Sequence, residues 1–278
     1  MNNFDIKKYN KAFTLIELLV IMAIIGLLTS IILVSLKSIR AKAKIAAGMQ
    51  FSGSIYHVLG DNMLGEWKFE DNLEDTSGNN NHGEYYPSSS APSFAESFMG
   101  SAEKSLSLDG SGYVIVPYSD SMEAISLWDN DVTISLWIKP AVLPSSFYSF
   151  IFINQGQSFL SLLNNGALDW QIRTSSSELK SGMTENKRIA PGNWYHIALT
   201  TGDSGKLKIF INGAEQKLSY NYWLSTYLGS SEPIYIGGYP SFFSEGKFNG
   251  LIDEVRIYKG KFNIGQVQQI YAEGLKKI

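Results

Sequence analysis

Residues 133–138 read TISLWI, and this stretch decides the fold class. Every second residue from Val132 to Ile138 is aliphatic, so these side chains share one face of an extended strand. Residues 207–211, LKIFI, show the same alternation. The period of two predicts half-buried β-strands rather than helices in this part of the chain.

Similar short stretches recur along the rest of the chain, and Gly, Asn, Ser and Pro separate them. Many short strands without intervening helices indicate two antiparallel sheets packed face to face, a mainly β sandwich. The further predicted strands are Leu64–Phe69, Ser105–Leu108, Tyr113–Val116, Phe150–Ile153, Phe159–Leu163, Leu168–Arg173, Trp194–Thr200, Pro233–Ile236 and Leu251–Tyr258.

Composition excludes several classes of protein. The chain has 278 residues with a formal charge of -3, so it lacks the basic field that holds a phosphate backbone, and we expect no nucleic-acid partner. It contains no cysteine, which excludes disulfides, thiolate metal sites and thiol nucleophiles.

The first sixty residues have a different character. Residues 1–12 are polar and contain three lysines, as in a targeting leader, whereas residues 13–36 are predominantly apolar, with Glu17 as the one charged residue and no proline. At about 1.5 Å per residue, a helix over 13–36 would cross a hydrocarbon core of about 30 Å. Residues 37–60 continue at helical spacing, which predicts a long N-terminal transmembrane helix over 13–60.

Glu17 needs a partner, because a carboxylate inside a membrane segment costs on the order of 3 kcal/mol. Cleavage between Ala12 and Phe13 would create an α-amine one helical turn from Glu17 of a neighbouring, axially shifted copy. The amine and the carboxylate could then pair in a medium of low dielectric constant.

These residues resemble the N-terminal signal of type IV pilins and pseudopilins: a lysine-rich leader, a small residue, then FTLIE at 13–17 and an apolar helix. The resemblance implies that a prepilin peptidase cleaves after Ala12, where the family usually has Gly. It also implies that the peptidase methylates the amine of Phe13 and that Glu17 aids filament assembly. The alternative is an ordinary signal anchor with a chance glutamate.

The β-rich part, residues 61–278, resembles laminin-G-like, concanavalin A-like jelly rolls between Leu64 and Tyr271. In this resemblance, Asn263–Glu273 correspond to a short closing helix. The motifs that carry the resemblance are GEWKFED (65–71), DTSGN (75–79) with HG (82–83), SLSLDG (105–110), ISLWIKP (134–140), NWYHIA (193–198), ING (211–213) and GLIDEVRIY (250–258).

A calcium site is one hypothesis for this domain. Period two along 251–258 places Asp253 on the same face as Leu251 and Val255, toward an apolar interior, where a charge needs a cation or several hydrogen-bond donors. Related jelly rolls often hold a structural calcium ion, and the loop from Asp75 to Gly83 is rich in oxygen ligands. We therefore expect Ca²⁺ at Asp75, Asn80 and Asp253. The alternative is that Asp75 and Asn80 make Asx turns and Asp253 accepts backbone N–H bonds.

Two aromatic clusters lie in predicted loops, at residues 220–223 and 239–243. Exposed aromatic rings there could stack on sugars or anchor a protein partner, and the candidate ligand-binding residues are Tyr222, Trp223, Phe242 and Phe243. The alternative is that these residues close one end of the sandwich.

No catalytic constellation emerges from the sequence. The three histidines lie in different segments and no Ser/His/Asp order is present. Glycosidases of the concanavalin A-like fold usually carry Glu-x-Asp-x-x-Glu on one strand, and nothing here matches. We interpret Glu254 and Arg256 as a solvated pair and predict that the chain is not an enzyme.

The prediction is thus a single-pass membrane protein, a pilin-like minor subunit with an extracytoplasmic head that binds a glycan or a surface protein. Its other expected partners are pilin subunits and the prepilin peptidase. Charge counting does not orient the helix, and only the pilin resemblance places the head outside. One rival function is a pseudopilin of a type II secretion or DNA-uptake system, and another is a surface glycoside hydrolase.

Overall fold

The computed structural model describes residues 15–16, 18–25, 60, 62–98, 100–125, 131–154, 158–173, 179–202, 206–219, 233–240 and 246–275. The chain divides into two compact units, Met1–Ile55 and Tyr56–Ile278. In the first unit, residues 15–16 and 18–25 are helical, and most of the helix predicted over 13–60 lies outside the described residues. Among the residues that are described, no helix is both long and apolar enough to cross a membrane.

The second unit is a β-sandwich, as predicted. Its strands are β1 (Met63–Trp67), β2 (Glu84–Tyr86), β3 (Ser93–Ser97), β4 (Gly100–Asp109), β5 (Tyr113–Val116), β6 (Val132–Pro140), β7 (Tyr148–Asn154), β8 (Ser158–Leu163), β9 (Leu168–Arg173), β10 (Leu179–Met183), β11 (Tyr195–Thr201), β12 (Lys208–Ile211), β13 (Ala214–Glu215), β14 (Ile234–Ile236) and β15 (Asn249–Lys259). A 3-10 helix spans Asp120–Ile125, and one α-helix, α1, spans Ile264–Leu275.

The strands form two sheets in which every pairing between these strands is antiparallel. The eight-stranded sheet has the order β13-β12-β11-β6-β15-β4-β3, and β1 pairs with β15 on the same side as β4. The seven-stranded sheet has the order β10-β9-β8-β7-β14-β5-β2. Seven of these thirteen pairings join strands that are not consecutive along the chain, as in a jelly roll.

The core lies between the sheets and follows the alternation read from the sequence. In β6, Ile134, Leu136 and Ile138 are fully buried in the main apolar cluster, and Trp67 of β1 and Trp170 of β9 pack into the same cluster. Both indoles satisfy their N–H groups, Trp67 on the Asn81 carbonyl at 2.9 Å and Trp170 on the Ser158 hydroxyl at 2.8 Å. These bonds remove the cost of burying a polar group in an apolar core.

Helix α1 covers the outer face of the eight-stranded sheet. The Asn263 side chain accepts a hydrogen bond from the Gln266 N–H at 3.1 Å, and the Gln266 side chain accepts one from the Asn263 N–H at 2.9 Å, which is a reciprocal capping box. Tyr271 stacks on Trp137 of β6 at a ring separation of 5.7 Å, and Phe98 stacks on the same indole at 3.9 Å. The closing helix expected from the jelly-roll resemblance is therefore present.

The face assignment made for Asp253 is wrong. Period two does not hold through β15, because Asp253 pairs with Trp137 and Arg256 with Ser135, so β15 has one residue more than β6 in this interval. Glu254, at φ 48°, forms this bulge. As a result, Ile252, Val255 and Ile257 face the core, whereas Asp253 lies opposite Trp137 on the outer face.

All the predicted strands are present, with ends that differ by a few residues. Four strands were not predicted, namely β2, β3, β10 and β13. These four strands are the terminal members of the two strand orders.

Candidate functional site

The residues predicted to act at the N-terminus, Ala12, Phe13 and Glu17, lie outside the described residues. Their roles in cleavage, methylation and assembly therefore stay predictions. The same holds for the predicted ligand-binding residues Tyr222, Trp223, Phe242 and Phe243. Both of these aromatic segments flank β14, a central strand of the seven-stranded sheet.

Asp75 fixes the loop between β1 and β2. Its carboxylate accepts three backbone N–H bonds, from Glu66, Ser77 and Asn81, each at 2.9 Å. The bond from Ser77, two residues ahead, is an Asx turn. Asn80 is exposed and has a left-handed backbone with φ 58°. These contacts match the alternative in which Asp75 organises the loop.

Asp253 lies in a different environment. It is fully buried, accepts a hydrogen bond from the Ser97 hydroxyl of β3, and accepts a second from the Glu254 N–H at 2.7 Å. Burial raises the pKa of Asp253 to about 8, and the neighbouring Glu254 carboxylate adds to that increase. The carboxyl group therefore favours its protonated, neutral form near pH 7.

The hydrogen bonds described above for Asp75 and Asp253 have no partner in common. In the described part of the chain, no group of three or more His, Cys, Asp or Glu residues could hold a metal ion. The calcium site at Asp75, Asn80 and Asp253 thus stays a prediction, and the hydrogen bonds account for both carboxyl groups without a cation.

Glu254 and Arg256 do form an ion pair, but the interpretation that it is solvated is wrong. The two side chains are only 3% and 16% exposed, and the Arg256 guanidinium also binds the Glu66 carboxylate of β1 at 2.8 Å. Burial alone would raise the pKa of Glu66, but the charge of Arg256, the hydrogen bonds from Thr76 and Arg256 and the charge of Lys68 together leave that pKa lowered. The bulge at Glu254 redirects its side chain so that both carboxylates meet one guanidinium.

A buried serine–histidine pair lies on the outer face of the eight-stranded sheet. The Ser135 hydroxyl and His196 Nε2 are 2.8 Å apart, and His196 is fully buried. Burial lowers the pKa of His196 to about 3, and the charge of Arg256 lowers it further. His196 Nδ1 has no hydrogen-bond partner in the described structure, so no carboxylate orients the ring as in a catalytic triad. A substrate cannot reach this pair.

The outer face of the seven-stranded sheet is rich in aromatic side chains. In β5 and β14 the residues Val114, Val116, Ile234 and Ile236 face the core, and the residues between them face outward. We call this outward surface the aromatic face. It consists of Tyr86, Tyr113, Ile115, Phe150, Ile153, Phe159, Tyr235 and Tyr239.

Side chains at the centre of the aromatic face are buried, whereas one at its rim is exposed. Ile153 and Tyr235 are 0% and 5% exposed, and Tyr239 packs edge-on against Tyr235 with ring centroids 4.9 Å apart. At the rim, Tyr86 of the edge strand β2 is 45% exposed. An exposed tyrosine ring that is supported from below by further rings can stack on the apolar face of a sugar or on a protein side chain.

A family profile described as the concanavalin A-like lectin/glucanases superfamily matches residues 108–268, more than half of the chain. The chain belongs to this superfamily. The prokaryotic N-terminal methylation motif also matches, over residues 7–33, and this match confirms the resemblance to pilins and pseudopilins. No curated protein matches the chain significantly.

Solved structures of this concanavalin A-like fold include domain 4 of AbnA, an extracellular GH43 arabinanase from Geobacillus stearothermophilus, in complex with arabinotriose. The two chains are 24% identical with a TM-score of 0.56, and the match covers 76% of this chain and 98% of that domain. The binding domain of Paraclostridial Mosquitocidal Protein 1 is 20% identical with a TM-score of 0.60, and the match covers 77% of this chain and 52% of that domain.

The botulinum neurotoxin serotype D ligand-binding domain in complex with N-acetylneuraminic acid is 18% identical, with a TM-score of 0.57. The match covers 78% of this chain and 52% of that domain. This chain thus spans about half the length of the two toxin domains. At these identities the likeness shows the concanavalin A-like fold alone.

Sequence reasoning missed the aromatic face of this concanavalin A-like domain. The signal was present in Tyr113–Val116, where Val114 and Val116 on the core side leave Tyr113 and Ile115 on the other side. No sequence pattern predicts that Tyr86 stacks on Tyr113, because β2 is a short edge strand whose position is set by its pairing with β5.

Proposed function

We propose that this chain is a minor subunit of a type IV pilin-like filament and that its head binds carbohydrate outside the cell. One observation carries the proposal: a single chain combines the methylation motif at residues 7–33 with a concanavalin A-like domain at residues 108–268. The first is a feature of exported, membrane-anchored subunits, and the second is a fold found in binding domains.

The N-terminal segment supplies the filament part of the proposal. Prepilin peptidase cleaves between Ala12 and Phe13 and methylates the new amine. The positive amine of Phe13 then pairs with Glu17 of a neighbouring subunit, which removes the cost of an isolated carboxylate in lipid. The partners in this step are the membrane and other pilin subunits.

The aromatic face supports a carbohydrate ligand for the head. Sugar rings have apolar C–H faces that pack on aromatic rings, and their hydroxyl groups need hydrogen-bond partners. Two structures with the same fold are complexes with carbohydrates, arabinotriose and N-acetylneuraminic acid. We also expect the sequence-predicted ligand-binding residues Tyr222, Trp223, Phe242 and Phe243 to contribute to carbohydrate binding.

The size of the head supports a minor subunit located at the filament tip. The head predicted from residues 61–278 is far larger than the helix that anchors it, and closely packed helices in a filament core favour small heads. A bulky head is accommodated most easily where no subunit follows.

The first rival is a pseudopilin of a secretion or DNA-uptake system, since that class has the same N-terminal motif. In that case the head would contact components of the secretion machine, and the chain would co-purify with them. The second rival, a surface glycoside hydrolase, needs two carboxylates that reach one glycosidic bond. Asp253 and Glu254 are only 0% and 3% exposed, so this pair does not meet that requirement.

We also propose that the head binds Ca²⁺ as a structural ion at the loop that contains Asp75 and Asn80. Oxygen ligands in this loop support it. The three N–H bonds that Asp75 accepts count against this calcium site, because a cation would compete for the same carboxylate oxygens.

The test uses the full chain, co-expressed with a prepilin peptidase and a pilus assembly system. Intact mass of the membrane-extracted chain should show a mature protein that begins at methylated Phe13. The Glu17→Ala variant should be cleaved equally well but should be lost from sheared filaments. Retention of residues 1–12, with Ala12 still joined to Phe13, would contradict the filament assignment. For the head, binding of the detergent-solubilised full chain to a glycan array is the measurement, and co-purification with a secretion complex without glycan binding would favour the pseudopilin.

A further inference from the structure

One corner of the aromatic face contains a group that the fold does not explain. Tyr113 of β5 is 1% exposed, and among the described residues no group makes a hydrogen bond to its hydroxyl. Buried hydroxyl groups are normally paired, so an unpaired one indicates a partner that the described residues do not provide.

The surroundings of Tyr113 form a small aromatic recess at the edge of the sheet. Tyr86, its partner across the β2–β5 pair, stacks on it with ring centroids 4.9 Å apart and an interplanar angle of 26°. Tyr235 of β14 meets the Tyr113 ring edge-on at 6.1 Å. Tyr239 in turn packs against Tyr235. The wall of the recess is therefore aromatic and uncharged on these sides.

Lys247, a charged residue near this recess, already makes a hydrogen bond. Lys247 Nζ lies 5.6 Å from the centroid of the Tyr113 ring and donates a hydrogen bond to the Ser111 carbonyl at 2.7 Å. Burial raises the pKa of Tyr113 to about 12, and the nearby hydroxyls of Tyr86 and Tyr239 add to this increase, so the group is a neutral O–H donor at physiological pH.

We propose that Tyr86 and Tyr113 form a subsite for one ring of a neutral sugar, in which the ring stacks on Tyr86 and one of its hydroxyls accepts a hydrogen bond from Tyr113. Tyr86 is the outermost ring, and rotation of this half-exposed side chain uncovers the Tyr113 hydroxyl to the ligand. The inference rests on the proposed carbohydrate-binding function and specifies where the head binds and which sugar class it prefers.

The chemistry of the recess selects a neutral sugar over an acidic one. A neutral pyranose or furanose ring has one apolar C–H face for Tyr86 and hydroxyl groups for Tyr113. An acidic sugar would place a carboxylate against tyrosine rings, whose faces are electronegative.

The experiment compares three variants of the detergent-solubilised full chain with the wild type. Tyr86→Ala removes the stacking ring, and Tyr113→Phe removes only a hydroxyl that has no partner in the fold, so it should not lower the melting temperature. Tyr118→Ala is the matched control, since Tyr118 has a similar exposure, 40%, and lies beyond the end of β5. The probes are arabinotriose, other neutral oligosaccharides on an array, and sialyllactose as the acidic comparison.

The expected result is binding of at least one neutral oligosaccharide. The dissociation constant should increase tenfold or more in Tyr86→Ala and about three- to tenfold in Tyr113→Phe, the range for loss of one hydrogen bond, with no change in Tyr118→Ala. Neutral-glycan binding that both Tyr86→Ala and Tyr113→Phe retain at full strength would overturn the subsite and leave the proposed function standing. Binding of sialyllactose alone would overturn the neutral preference. Failure of every glycan to bind the wild type would overturn the carbohydrate function and the subsite together.

Discussion

The Arg256 guanidinium of β15 lies 2.8 Å from the Glu66 carboxylate of β1, and its other side contacts Glu254. These three residues join the first and last strands of the domain, 190 positions apart in sequence. The Thr76 hydroxyl donates a further hydrogen bond to Glu66 at 2.6 Å, which connects the Asp75 loop to the same pair.

Replacement of Arg256 by Met should destabilise the domain strongly. Glu254 would lose the guanidinium that it contacts, and Glu66 would keep only the half-exposed Lys68 ammonium at 3.4 Å. Breaking a buried ion pair from one side typically costs about 3–5 kcal/mol. Chemical unfolding followed by tryptophan fluorescence measures the change. Arg188→Ala is the matched control, because Arg188 and Glu185 form an exposed pair in which the two side chains are 43% and 58% accessible, and such pairs contribute about 0–1 kcal/mol. Equal losses in the two variants would contradict the buried role of Arg256.

Asp253 should make the domain less stable as the pH rises. Its folded-state pKa is raised to about 8, so its contribution to stability is complete below its unfolded-state pKa of about 4 and is lost as the pH rises toward 8. Asp253→Asn cannot ionise, and its single amide oxygen can accept from the Glu254 N–H while its NH₂ group donates to the Ser97 hydroxyl oxygen. Melting temperatures between pH 4 and pH 9 should therefore decline more steeply for the wild type than for the variant, and parallel curves would refute the expectation.

Gly274→Ala should loosen α1 from the sheet. A Cβ at this position would lie 2.8 Å from the Trp137 ring, which cannot retreat because Phe98 stacks on it at 3.9 Å. The alanine gains up to about 1 kcal/mol of helix propensity, but overpacking costs about 1–3 kcal/mol, and we expect a net loss of stability. Gln268→Ala on the exposed side of α1 changes propensity without touching Trp137. The readout is the melting temperature together with near-ultraviolet circular dichroism of tryptophan, and an unchanged Trp137 environment would speak against the packing argument.

Asp75→Asn should destabilise the loop between β1 and β2 even when calcium is absent. An amide has one acceptor oxygen, and its NH₂ group would face one of the three N–H donors, which leaves a donor unpaired at a cost of about 1–3 kcal/mol. Melting in EDTA and in excess calcium separates the two roles of Asp75. A loss that appears only with calcium present, together with a calcium-dependent rise in the wild type, would instead support a metal ligand.

How well each strand could be predicted depended on where it lies in its sheet. β6 and β11 are inner strands of the eight-stranded sheet, and each buries a full apolar face, so their sequences show period two. The edge strands β2, β3, β10 and β13 bury less, and a sequence such as SFAES at 93–97 has no clear alternation. Their strand conformation comes from pairing with a longer neighbour.

The residues of the candidate site also differed in how well the sequence predicted them. The sequence showed that Tyr113 lies in a strand, but the stacking of Tyr86 on it depends on register across a sheet edge. For Asp253 the sequence predicted the wrong face of β15, because one left-handed residue, Glu254, interrupts the period of two.

The sequence by itself determined the two-part organisation of the chain, the methylation motif and the superfamily of the head, because these are encoded in local patterns of apolar and small residues. Only the tertiary structure decided which charges are buried together and which aromatic rings share a face. Those relationships arise when strands distant in sequence pair in a specific register, and a bulge or an edge position changes that register without leaving a local signal.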